Sequence, residues 1–244
     1  PREVDSHEVQ RRDGKVYLPN KSSGYSGTVV SRRPNGTLHV KREYRLGWKH
    51  GVTEWYGDYG TLRTREEYVG GWRNGFREKY HDNGQLEHRE IVINDKREGK
   101  EEAYYRNGQL RRQYAYKNEV EHGLRLSYCE NGQWQERVKI KNGLKHGLHE
   151  VNGCNGVPLL SWHYNNGLPR DGKYTYFFDN GKVQEEGNYV DGYREGQWVS
   201  YHENGVEAYP HNYLKGKLHG CFKSYDENGK QVMFNASYKH GEKH

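Results

Sequence analysis

Long apolar runs are missing from this chain. No stretch approaches the roughly 18 residues that a bilayer-spanning helix needs, and only 32% of the 244 residues are hydrophobic. Helical windows are missing too, because glycine interrupts every candidate before three turns are complete. Cysteine is scarce. Cys129, Cys154 and Cys221 are an odd set that cannot all pair, so they supply no disulfide framework and leave the compartment open. A strong excess of one charge is also lacking: 39 basic residues face 33 acidic ones, interspersed, for a net +6. Nucleic-acid binders gather charge into a stripe or tail, whereas Ser31-Arg32-Arg33 and Arg111-Arg112 are short clusters of the kind found on solvated strand edges. No nucleic-acid partner is expected. What the chain has in plenty is 22 tyrosines, 31 glycines and 6 tryptophans, spread from end to end. That is too aromatic for disorder and too polar for a thick globule, so a one-layer architecture fits.

The glycines are periodic. Asn-Gly or a variant recurs at Asn35-Gly36, Tyr59-Gly60, Asn83-Gly84, Asn107-Gly108, Asn131-Gly132, Asn155-Gly156, Asn180-Gly181, Asn204-Gly205 and Asn228-Gly229. The steps are 24 residues with a single 25, and Gly27, Gly51, Gly75, Gly99, Gly123, Gly147, Gly172, Gly196 and Gly220 repeat the same slip. Two registers agreeing over nine repeats define the organisation. An aromatic follows most second-series glycines by five residues, as Tyr56, Tyr80, Tyr104, Tyr128, Phe177, Tyr201 and Tyr225. Another apolar position follows Asn-Gly by eight, as Tyr44, Tyr68, Val92, Tyr116, Ile140, Tyr164, Tyr189 and Tyr213. Each repeat thus holds two strand-like stretches around Asn-Gly, which tolerates the positive φ of a hairpin. A second turn, Gly-x-x-x-Gly, closes it at Gly47/Gly51 and its equivalents.

The expected fold is all-β: an elongated, twisted antiparallel meander of about nine 24-residue hairpins. Eighteen strands about 4.8 Å apart would make a ribbon roughly 85 Å long, with same-offset tyrosines stacking two strands apart. Residues 1–23 form an N-terminal cap segment, with Val16-Tyr17-Leu18 as a short strand over the first hairpin, and residues 24–244 form the array. The sixth repeat, Gly147 to Asp171, departs from the pattern through Asn152, Cys154, Pro158 and one extra residue, which reads as a bulge or bend.

Chemistry finds little support, and no enzyme, cofactor or metal is expected. Cys154, His163 and Asn166 are the types a cysteine nucleophile needs, but no surrounding context supports the set. His50, His122, His146, His219 and His240 each precede a turn glycine, and equal positions about 9.6 Å apart cannot share one zinc. The same spacing leads us to expect free thiols at Cys129 and Cys154, since a disulfide needs Cα atoms within about 7 Å.

The pattern Gly-x4-Tyr-x2-Asn-Gly-x7-Tyr-x2-Gly-x3-Gly, clear in Gly196–Gly220, resembles the variant MORN repeat of the bacterial YwqK-like antitoxin family. The resemblance covers residues 24 to 244. It implies an immunity or antitoxin protein whose partner is a cognate toxin or secreted effector, including an envelope-acting, lipid-degrading one. Family members often carry an export or lipoprotein signal, and Pro1 in place of methionine leads us to expect a trimmed N-terminus and a periplasmic or envelope location, with the cytoplasm as the alternative. The alternative function is a MORN-type scaffold, or an anionic-lipid-binding module at a membrane surface. With the tyrosine ladders assigned to structure, the candidate partner-binding residues are the aromatics off the ladder. Trp48, Trp72 and Tyr193 share one turn position, and alternation points Trp55 and Trp198 away from the Tyr56 and Tyr201 face.

Overall fold

A computed structural model describes residues 2–243. It is all-β, a meander in which the long strands of each half pair antiparallel with their neighbours in sequence; among the described residues the only helical element is one 3-10 turn, Ser6–Glu8. Packing divides the chain into two compact halves, Pro1–Glu121 and His122–His244. The N-terminal half opens with short strands Glu3–Asp5, Gln10–Arg12 and Lys15–Tyr17, then runs Gly27–Arg32, Leu38–Arg45, Trp48–Tyr56, Leu62–Val69, Trp72–Tyr80, Leu86–Ile93, Lys96–Tyr104 and Leu110–Lys117. The C-terminal half continues the same alternation from Gly123–Tyr128 to Gln231–Lys239. Val16, in the third short strand, packs with Val4, Tyr25, Val29 and Tyr44 over the first hairpin. Glu3–Asp5 adds a parallel strand against Gly27–Arg32, covering an edge that would otherwise offer unpaired backbone groups.

Two kinds of turn alternate, and their chemistry differs from the sequence expectation. At Arg33–Gly36 the Gly36 N–H donates to the Arg33 carbonyl (2.8 Å) and Arg33 N–H to Thr37 (2.9 Å), with Gly36 alone left-handed at φ 83°. Asn35 contributes its side chain, accepting the Thr37 N–H at 3.1 Å. The left-handed pairs lie instead in the other turn, for example Leu46-Gly47 at φ 50° and 85°, where both central residues need positive φ to match the strand twist. The second-series glycines are not part of either turn. Gly51 lies in a strand bulge: Tyr44 pairs with Lys49 and Arg42 with Thr53, leaving Glu43 opposite the extra residues. The Glu43 carboxylate accepts the Val52 N–H at 2.9 Å. A Cβ on Gly51 would fall 2.1 Å from that carboxylate oxygen.

The expected tyrosine ladder is interleaved. The strand between two equal positions also presents a side chain to that face, and this fills the gap of about 9.6 Å. In the N-terminal half the intervening group is a cation: Lys49 lies 4.4 Å from the Tyr68 ring and Arg97 4.2 Å from Tyr116. In the C-terminal half a cation again intervenes, Lys145 5.4 Å from the Tyr164 ring and Arg194 5.4 Å from Tyr213, and rings of the adjacent row crowd in, with Tyr189 4.7 Å from Tyr174 and 5.3 Å from Trp198. The adjacent row separates the halves further. Cross-strand neighbours Glu66, Arg77 and Glu90 form an ion row, with Arg77 at 3.0 Å and 2.9 Å from the two carboxylates. The corresponding C-terminal row holds His149, Trp162, Tyr174 and Trp198. On the opposite face Tyr56, Tyr80 and Tyr104 donate to Glu54, Glu78 and Glu102, each at 2.9 Å, and burial reinforced by those bonds pushes each phenol up to about 12.

Glu66, Glu78, Glu90 and Glu101 are buried, and each meets a guanidinium or imidazole, as a buried carboxylate must. The sixth repeat is more regular than expected. Pro158 pairs with Asn152 across the same one-residue bulge seen at Tyr104 and Leu110, and the extra residue falls in the break between Leu168–Pro169 and Gly172–Phe177. There the Tyr174 hydroxyl donates to the carbonyls of His163 (2.6 Å) and Arg170 (2.8 Å), bridging the break.

Candidate functional site

Large apolar side chains are exposed along one margin of each half, beside the two-residue turns. The residue before such a turn pairs with the residue after it, as Val69 with Trp72 and Val190 with Tyr193. In the N-terminal half these flanks expose Trp48, Val69, Trp72 and Ile93, with Trp72 59% accessible. In the C-terminal half they expose Leu144, Leu168, Val190 and Tyr193, the last 57% accessible. Each stripe is tiled because the residue after one turn lies across the next. A Cβ on Gly71 would come within 3.1 Å of the Trp48 ring, and one on Gly216 within 3.2 Å of Tyr193. Glycine at the second turn position therefore makes room for the neighbouring aromatic as well as supplying φ 95° and 77°.

Where the turn lacks glycine, an acid takes its place. Asp95 sits at φ 63° and accepts both the Arg73 backbone N–H (2.9 Å) and the Arg73 Nε–H (2.8 Å), and these bonds hold its carboxyl below the ordinary value. Glu119 accepts the Arg97 backbone N–H in the same way. The left-handed strain of a non-glycine residue is offset by a fixed ion pair to the preceding repeat.

Trp48, Trp72 and Tyr193 therefore stand where sequence spacing placed them, at equivalent exposed positions. Trp55 is half-buried, paired with Val40 and Thr64. Trp198 does not join the surface. It is 0% exposed, its Nε1–H donates to the Asn188 carbonyl at 3.0 Å, and the Arg194 guanidinium covers it at 4.0 Å. Alternation placed its face correctly, but in this half that face is filled with rings. Val69, Ile93, Leu144, Leu168 and Val190 were passed over, although they occupy the same turn flanks as the tryptophans.

Other chemistry is engaged within the fold. His88, Glu90 and Glu101 bring one potential ligand atom each within 4.8 Å of one another. Arg77 lies 2.9 Å from Glu90 and Arg112 3.4 Å from Glu101, so guanidinium groups already answer those carboxylates, and His88 Nε2 lies 3.1 Å from Glu101.

The expectation of free thiols at Cys129 and Cys154 is overturned: they form a disulfide with Cα atoms 5.6 Å apart. Successive loops lean on one another more closely than strand spacing suggests. In the slot six residues after the bulge glycine, Arg33 donates to the Tyr56 carbonyl at 2.7 Å, and His202 to that of Tyr225 at 2.8 Å. Cys129 fills this slot and reaches the next loop in the same direction. Asn131 also donates to the Cys154 carbonyl at 2.8 Å. The Cys154 sulfur is thus covalently engaged, which removes the nucleophile from the Cys154, His163 and Asn166 set. Cys221 is exposed and free.

Comparison with curated proteins gives no match. Residues 97–118, 170–191 and 218–230 match the family described as MORN repeat variant. The first of these segments covers all but the first residue of a strand pair of the kind described above, Lys96–Tyr104 with Leu110–Lys117. The hairpin meander is accordingly built, over those three segments, of MORN-variant repeats.

Proposed function

We propose that this protein is an immunity or antitoxin protein that binds a cognate toxin or secreted effector and neutralises it by covering its active surface, without catalysis of its own. The observation that carries the reading is the exposed apolar stripe: Trp48, Val69, Trp72 and Ile93 in one half, Leu144, Leu168, Val190 and Tyr193 in the other. Aromatic anchors flanked by arginine are what protein interfaces use, and a standard interface needs only about 800 Å² per partner. MORN-variant repeats supply a rigid frame for such stripes. The Cys129–Cys154 disulfide supports an oxidising compartment such as the cell envelope. A scaffold or lipid-surface role finds less support, because most of the central arginines are already paired with carboxylates.

The test is affinity capture from the native organism, followed by expression of the strongest partner in cells lacking this protein. Killing that is relieved in proportion to complex formed supports the reading. Trp72→Ala combined with Trp48→Ala is expected to weaken the complex by at least about 2 kcal/mol, roughly thirtyfold, while leaving the melting temperature unchanged. A partner without toxicity, or salt-sensitive vesicle binding alone, would overturn it.

A further inference from the structure

We propose that the N-terminal half carries a binding site for a phosphate-class oxyanion, centred on Ala103. The side chain four residues after the second-series glycine is large in four repeats, Trp55, Lys79, Val151 and Tyr176, is a serine hydroxymethyl at Ser31, Ser127, Ser200 and Ser224, and here is reduced to a methyl group. Ala103 pairs with His88 on one side and Arg112 on the other. The missing bulk leaves a depression of about 300 Å³ whose walls include Lys79, His81, His88, Arg111 and Arg112, with Glu87 as the one carboxylate in the lining.

Charge compensation sets this place apart from its surroundings. Arg65, Arg77, Arg89 and Arg97 each meet carboxylates within 4.0 Å. Among the described residues, no carboxylate comes within that distance of Lys79 or Arg111. Arg112 gives one terminal nitrogen to Glu101 at 3.4 Å, but its Nε–H is shut off from solvent and meets no acceptor. The Arg112 guanidinium therefore keeps hydrogen-bonding capacity that the fold does not use, on a side chain that lines the depression. Two uncompensated cations beside an orphaned guanidinium N–H suit a compact oxyanion with several acceptor oxygens, for which arginine geometry is well matched. His81 and His88 add ring nitrogens, although His81 Nε2 already reaches the Tyr104 carbonyl at 3.2 Å and His88 Nε2 reaches Glu101.

The test titrates the full chain with inorganic phosphate by calorimetry and by the ring signals of its histidines, against sodium chloride at matched ionic strength. The variant that decides is Ala103→Tyr. It fills the depression without changing charge, and the Tyr176 precedent at the equivalent position predicts that it folds, which an unchanged melting temperature would verify. Saturable phosphate binding that falls by about tenfold or more in Ala103→Tyr and in Arg111→Gln supports the site. Vesicles containing phosphatidic acid then separate the sources. Co-sedimentation lost in Ala103→Tyr assigns a lipid headgroup, and no co-sedimentation assigns a soluble phosphate ligand. No saturable effect beyond chloride, or equal binding in the variant, would overturn the proposal.

Discussion

Reduction of Cys129–Cys154 is expected to destabilise the C-terminal half selectively. The two residues are separated by 25 positions, and closing a loop of that size removes chain entropy worth about 3.5 kcal/mol at 25 °C from the unfolded state. This half has little to replace it with, since among the described residues only Trp198, Ile140 and Val138 are completely enclosed among its larger side chains. For a half of this size the loss corresponds to a drop of roughly 10–15 °C in melting temperature. Calorimetry of the full chain with and without a phosphine reductant measures it directly. The Cys129→Ser, Cys154→Ser double variant should melt at the lowered temperature in both conditions. Thiol titration in denaturant should count one reactive group before reduction and three after. Three thiols before reduction, or a melting curve indifferent to reductant, would refute the argument and return both residues to the free state that strand spacing suggested.

Gly187→Ala tests the aromatic row without touching a ring. A Cβ there would lie 2.2 Å from the Trp198 ring, so about 3 kcal/mol of destabilisation is expected by urea unfolding, and a neutral outcome would mean that the ring moves freely. Acid should unfold the chain in two stages. Burial holds His211 below its ordinary value, so it binds a proton more readily when unfolded, and stability falls as pH drops through about 6.5. Glu101 and Glu136 are held below the ordinary carboxylate value by hydrogen bonds from His88 and His149, so their contribution is complete above about 4.5 and is lost below it. His211→Phe should abolish the first stage alone, and a pH profile identical to that of the parent would contradict the assignment.

Period and strand class were legible in the sequence because they depend on local chemistry. Two glycine registers at steps of 24 and 25, with tyrosines at fixed offsets, admit one kind of unit, a hairpin. The exposed positions of Trp48, Trp72 and Tyr193 followed from the same offsets, since a residue beside a tight turn stands at the margin of any sheet. Three features needed the third dimension. Glycine marks any left-handed residue alike, so only the hydrogen-bond register separated the turn residue Gly47 from the bulge residue Gly51. Alternation assigns a face but not what covers it, and Trp198 became core because Arg194, Tyr189 and Tyr213 close over it, while Gly187 across the strand leaves it room. Strand spacing fixes the distance between backbones in the sheet but not the lean of successive loops, which brings Cys129 to Cys154. Sequence periodicity set the repeating unit; contacts between repeats, which carry no period of their own, decided which side chains became core, staple or surface.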